Sequence, residues 1–236
     1  MNTAMVLDNL NLDTFTRKEV YEAIRSINAN ASDAQVRYCL SSMLSSGKIV
    51  RCGRNDYAKK SDSVLPLYTN HYSEEAQALI QCMENKYPVL DYRIWELNWM
   101  NEFVNHLIGK NMIFLEVEKD ACEFVYSDIS REVKERVLLK PSEKELMMYS
   151  NNNTVIINRL ITEAPKGEPG KYNVPLEKII VDLLANKNLM ISKGDYPDAV
   201  RAMFAKYQID KPKLYRYARR RSKEEEVKCF LQKISQ

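Results

Sequence analysis

Two helix-start signatures sixteen residues apart, followed at once by a short basic hairpin, constrain this chain more than any other feature. Thr16 with Glu19 three positions later is a capping box, in which each side chain satisfies a backbone donor left free at a helix start. Val20, Ala23, Ile24 and Ile27 follow at i, i+3, i+4 and i+7, so one face is apolar while Arg17, Lys18, Glu22 and Arg25 stay in water. Ser32 with Gln35 repeats the signature and opens a second helix on Val36, Leu40, Met43 and Leu44, ending near Gly47, which tolerates the left-handed conformation of a helix stop. Lys48 to Cys52, a turn at Gly53-Arg54-Asn55-Asp56, and Tyr57 to Lys60 then read as a hairpin packed by Ile49, Val50 and Tyr57. Helix, polar turn, helix and basic hairpin predict a winged helix-turn-helix over residues 1–60.

With Val36, Leu40, Met43 and Leu44 facing inward, the second helix offers Ser32, Gln35, Arg37, Tyr38, Ser41 and Ser45 to solvent. These are short or hydrogen-bonding side chains, the kind a recognition helix brings to base edges in the major groove. Charge points the same way. Residues 14–60 hold nine Lys or Arg against four Asp or Glu, a surplus of +5 in a chain whose total is +3, so the remainder is at −2. A small basic module suits a partner that carries phosphates. Ser32, Gln35, Arg37, Tyr38 and Ser41 are therefore expected on the DNA-binding surface, with Gln35, Arg37 and Tyr38 reaching bases or nearby phosphates and Lys48, Arg51, Arg54, Lys59 and Lys60 pairing with backbone phosphates along the wing.

Residues 61–72, with Ser61, Asp62, Ser63 and Pro66, break both periodicities and are expected to link this module to a second domain over 73–236. There, strands alternate with helices. Ser73 caps a helix on Ala76, Leu79, Ile80 and Met83, and a strand follows around Leu90, Tyr92 and Ile94. Next come a helix on Leu97 to Leu107, an apolar strand from Met112 to Val117, and a helix opened by Asp120 with Glu123. A strand at Val137 to Leu139, a helix boxed by Ser142 and Glu145, and a strand at Thr154 to Ile161 complete the series. This order predicts an α/β layer with a mixed sheet of about four strands, giving an α/β fold class, α+β overall. Leu176 to Leu184, Ala199 to Tyr207 and Lys213 to about Lys233 read as three tail helices. Between 211 and 223 lie seven basic residues and no acid, so Lys213, Arg216, Arg219, Arg220 and Arg221 form a possible second basic surface. The competing reading is a solvated helix balanced by Glu224 to Glu226.

The stretches Phe15-Thr16-Arg17-Lys18-Glu19, Gly53-Arg54-Asn55-Asp56-Tyr57, Leu176 to Leu184 and Tyr217-Ala218-Arg219-Arg220-Arg221 resemble, in that order and over nearly the whole chain, the AbiEi antitoxins of AbiE abortive-infection systems. The resemblance implies a winged helix that represses its own operon and a C-terminal domain that opposes a nucleotidyltransferase toxin. It implies a type IV toxin-antitoxin arrangement, in which no stable antitoxin–toxin complex is expected, and double-stranded operator DNA with inverted repeats as the surer partner. One departure matters: Asn55 stands where many relatives carry glycine in the wing turn, and Asp56 beside it repels phosphates, which shifts weight to the recognition helix.

Other chemistries find little support. The five scattered cysteines lack zinc-ribbon or redox spacing, and only His71 and His106 are available for a metal or a nucleophile's base, so no metal and no cofactor are expected. Neither a GxxxxGK[ST] run nor a GxGxxG is present. Asp91, Glu116, Glu118 and Lys119 suggest a nuclease, but no acid stands two positions before the lysine, so a non-enzymatic regulator is preferred over a nuclease-like α/β enzyme or a protein-interaction adaptor. Trp95, Trp99 and Phe103, at helical spacing, read as core. The absence of an eighteen-residue apolar run or a signal-like start argues against a membrane and for the cytoplasm.

Overall fold

Thr16, Ser32 and Ser142 each start a helix in the computed structural model, and at each both halves of the box are made. The structure describes residues 3–10, 14–51, 55–59, 65–167, 170, 172–185 and 193–234. Two helices, α2 (Arg17–Ile27) and α3 (Asp33–Ser45), are followed by the strands β2 (Ile49–Arg51) and β3 (Asp56–Lys59). Two elements escaped the sequence reading: a short helix α1 (Thr3–Asn9) and a strand β1 (Thr14–Thr16). β1 pairs antiparallel with β3, giving a three-stranded sheet in the order β1-β3-β2. Val6 and Leu10 close the core that Phe15, Val20, Ile24, Val36, Leu40, Met43, Ile49 and Tyr57 form.

The rest of the chain is a second, three-layered unit. Its four-stranded sheet runs β4-β5-β7-β6, with β4 (Tyr92–Glu96) antiparallel to β5 (Met112–Val117) and with β5, β7 (Thr154–Arg159) and β6 (Val137–Leu139) parallel. Side chains alternate across a strand, so Ile113, Leu115 and Val117 meet α4 (Glu74–Lys86) and α5 (Cys122–Glu132) on one face, while Met112 and Phe114 join the core on the other. Burial on both faces explains why Met112 to Val117 reads as one apolar run. The second face carries α6 (Glu143–Tyr149), α7 (Leu176–Ala185), α8 (Tyr196–Lys206), α9 (Lys211–Arg220) and α10 (Glu224–Ile234). Trp95 stacks on Phe114 with ring centroids 4.2 Å apart, and Trp99 and Phe103 are buried, as expected of core aromatics.

Several boundaries differ from the sequence expectation, each for a local reason. The helix expected over Leu97 to Leu107 is one 3-10 turn, Leu97–Glu102. Asn101 Oδ1 takes the Ile108 N–H in place of a backbone carbonyl one turn back, so the segment closes on a side chain instead of continuing as a helix. No box forms at Asp120 and Glu123, because the chain leaves β5 through a tight turn, Lys119–Ala121, and Asp120 lies inside it instead of holding the extended backbone of a cap. The strand expected from Leu90 begins at Tyr92, since the Leu90 N–H closes a turn on Tyr87. The single helix expected from Lys213 to Lys233 is two: Ser222 has φ 54°, and the Lys223 N–H returns to the Ala218 carbonyl, a helix stop that separates α9 from α10. The expected 61–72 linker ends earlier than its composition suggests. Asn70 bonds the Val174 backbone twice, Tyr72 reaches the Ile94 carbonyl and Trp99 donates to the His71 carbonyl, so residues 70–72 belong to the larger unit.

Candidate nucleic-acid interface

The surface of α3 is divided as its apolar spacing requires. Val36, Cys39, Leu40 and Met43 are buried, whereas Ser32, Gln35, Arg37, Tyr38, Ser41 and Ser45 are exposed. Tyr38 is 77 % exposed, an unusual position for a large aromatic ring on a helix whose other face is core. The one acid on α3, Asp33, stands in the first turn, where the helix dipole favours it, and Arg25 of α2 lies 3.3 Å away. Among the described residues, nothing from the larger unit forms a hydrogen bond or ion pair with this face. Arg17 and Arg25 flank the Tyr21 ring, at 5.7 and 6.0 Å from its centroid, so cationic groups also border α2.

The hairpin is less uniform than its sequence. Arg51 is exposed at the end of β2. Lys48 is exposed but its ammonium donates to Thr3 Oγ1 at 2.9 Å, and Lys59 is half-buried and donates to the Leu10 carbonyl at 2.6 Å. These two lysines therefore fasten α1 and Leu10 just after it to the hairpin, an arrangement invisible without knowing that α1 exists. Arg54 and Lys60 lie outside the described residues.

The C-terminal basic stretch splits into two populations. Lys213 is half-buried and Arg216 exposed. Arg219 pairs with Glu224 at 2.7 Å, Arg220 with Glu163, Lys223 with Glu226 at 2.7 Å, and Arg221 lies 3.5 Å from Asp182. Much of the stretch is thus balanced by acids, some of them distant in sequence.

A second charged constellation lies inside the larger unit. Lys178 of α7 is fully buried, with its ammonium 2.6 Å from Glu116 Oε1 of β5 and 2.5 Å from Asp182 Oδ2 one helical turn on. Asp182 also accepts a hydrogen bond from the buried Tyr217 hydroxyl of α9 at 3.0 Å, and Glu116 Oε2 is buried with no hydrogen-bond partner. Burial works against charging Lys178, but Asp182 and Glu116 outweigh it and hold the lysine above its ordinary value of 10.5. Burial, reinforced by Asp182, pushes Glu116 up despite the lysine. Tyr217 is pushed far up by burial and by the same two carboxylates. The four elements β5, α7, α9 and the start of the turn after α9 meet here, so the cluster ties the sheet to the helical tail.

This arrangement replaces the constellation the sequence suggested for a nuclease. Glu116 meets Lys178, not Lys119, which is exposed with Glu118 beyond the strand. Asp91 pairs with Arg93 at 2.8 Å and Lys166 at 3.2 Å; burial raises its pKa, but the two cations prevail and hold it below the usual carboxylate range. Lys178 and Asp182 were overlooked because Leu176 to Leu184 reads as an apolar helix; the available signal was a Lys–Asp pair at i, i+4 on a helix otherwise too apolar to present a wet face.

Fold and surface together define a mixed α/β protein with an appended helix-helix-hairpin unit whose second helix presents a polar face. The chain belongs to DUF6577, a family of unknown function, whose model matches residues 35–236 and so takes in most of α3, the hairpin and the whole larger unit. No curated protein matches it. Among the described residues no helix is long and apolar enough to cross a membrane.

Proposed function

We propose that residues 14–59 form a winged helix that reads double-stranded DNA, and that the protein is a transcriptional autoregulator serving as the antitoxin of a type IV toxin-antitoxin system. The observation that carries the DNA reading is the outward face of α3, where Gln35, Arg37, Tyr38 and Ser41 stand in solvent; Arg51 at the end of β2 is exposed as well. A helix fits the major groove, where amide, guanidinium and hydroxyl groups distinguish base pairs. One such unit contacts few base pairs, so two copies occupy inverted repeats upstream of the gene. The antitoxin role rests on the likeness to AbiEi proteins, with a nucleotidyltransferase toxin as functional partner, no stable complex between them, and action in the cytoplasm.

The test is binding to the fragment upstream of the protein's own gene, against the same fragment with its repeats scrambled. Gln35→Ala with Arg37→Ala is expected to weaken binding to the intact repeats by at least about tenfold, one good base contact being about 1–3 kcal/mol, while leaving scrambled DNA almost unaffected. Equal affinity of the unaltered protein for both fragments refutes sequence-specific reading. Coexpression with the product of the neighbouring gene, scored by growth, tests the antitoxin role separately.

A further inference from the structure

Ala58 sits on the side of the hairpin sheet that faces away from the α2–α3 core. Tyr57 and its cross-strand partner Phe15 point into that core; Ala58 and its partner Val50 of β2, one position on in register, point the other way. Yet Ala58 is completely buried. From the larger unit, α9 approaches β3. The buried side of α9 is Leu214, Tyr215, Tyr217 and Ala218, so Lys213, Arg216 and Arg220, at i, i+3 and i+7, line its outer side. A basic helix therefore borders the wing.

We infer that α9 is a second DNA-binding element, which clamps the phosphates of duplex flanking the segment held by α3, with Arg216 and Arg220 as its principal contacts. The inference rests on the reading of α3 as a DNA-binding helix and adds a site in the other unit. Arg216 is exposed, and among the described residues no carboxylate lies within ion-pair distance of it. Arg220 holds Glu163, but both side chains are about half exposed, at 49 % and 47 %. An exposed pair of this kind is worth at most about 1 kcal/mol, so a polyanion can displace Glu163. Arg219 stays with Glu224 at the start of α10, and Arg221, just past α9, reaches the buried Asp182, so these two arginines are engaged while Arg216 and Arg220 remain on the outer side. Ten residues of helix span about 15 Å, which matches the rise of about four base pairs.

The experiment compares the salt dependence of binding to two mixed-sequence duplexes, one of about 12 base pairs and one of about 24, using the full chain and the Arg216→Ala/Arg220→Ala variant. On the longer duplex the variant's slope of log K against log salt should be shallower by about two, close to 0.9 for each phosphate left without its arginine, and on the shorter duplex the two proteins should agree more closely. Arg216→Glu alone, a change at an exposed position, should weaken binding to the longer duplex at least about tenfold at low salt. Identical slopes for both proteins on the longer duplex overturn the α9 site while leaving the α3 reading intact. Failure of the unaltered protein to bind either duplex overturns both.

Discussion

The two units of this protein use charge in opposite ways. In the N-terminal unit the core side chains are apolar or aromatic, and the polar residues of α3 stand outside. In the larger unit a lysine with no exposed surface sits between two carboxylates beneath the sheet, and Glu96, Arg93 and Glu177 are buried as well. The first arrangement keeps polar and charged side chains at the surface, where a partner can reach them. The second consumes it internally and gains a fixed register between sheet and tail, because an unpaired buried charge is far more costly than a misplaced methyl group.

The sharpest way to break this contrast is Lys178→Met. Methionine fills similar volume but leaves Glu116 and Asp182 facing each other in a dry interior, and removing one partner of a buried pair costs about 3–5 kcal/mol. Urea unfolding followed by the fluorescence of Trp95 and Trp99, both in the larger core, should show that loss. A cost below about 1 kcal/mol would mean that the cluster is hydrated and that the contrast between the units is one of degree.

Glu116→Gln is expected to be milder, since Lys178 keeps Asp182, and its effect should depend on pH. Glu116 is raised in the folded protein, so its contribution is fully present below its ordinary value of 4.5 and is lost as pH climbs toward the folded value. Glutamine does not titrate. The destabilisation relative to the unaltered protein should therefore be largest near pH 4.5 and shrink as pH rises; constancy between pH 4.5 and 8 would show that Glu116 is not raised. Lys178 contributes on the alkaline side, with stability present below 10.5 and lost above it as the lysine gives up its proton.

How much of this was legible in the sequence follows from the range of the interactions. Capping boxes act over three residues, so Thr16, Ser32 and Ser142 announced their helices and the division of α3 into buried and exposed faces followed. The same rule failed at Asp120, where the path out of β5 overrode it. The paired fates of Lys48, Lys59 and Arg220 were not legible, because their partners Thr3, Leu10 and Glu163 lie 45, 49 and 57 positions away. The charges of α7 were not legible either, because the apolar spacing of Leu176 to Leu184 says nothing of Lys178 and Asp182, and the partner Glu116 lies on a strand 62 positions before the lysine.

A smaller effect tests the outward side. Ser32→Ala removes the acceptor for the Gln35 N–H and its half of the box, and an N-cap loss of this kind costs about 1 kcal/mol. Differential denaturation should place that loss in the N-terminal unit and leave the tryptophan transition of the larger unit nearly where it was. Movement of both transitions together would show that the packing of α9 against β3 makes the two units one cooperative body.

Tyr38→Ala should have the smallest effect on stability and the clearest on function. The ring is mostly in solvent, so its removal deletes little packing and exposed substitutions of this sort stay within about 0.5 kcal/mol. Alanine is in fact the better helix former, which favours the variant slightly. If the ring lies in the groove, the same change removes an apolar and hydrogen-bonding contact with DNA and should lower affinity for the upstream fragment several-fold at unchanged melting temperature. A side chain whose loss is silent in folding and costly in binding is retained for its partner. One whose loss is silent in both leaves α3 without a reader at its exposed aromatic position, and the polar face then has to be explained by some other contact.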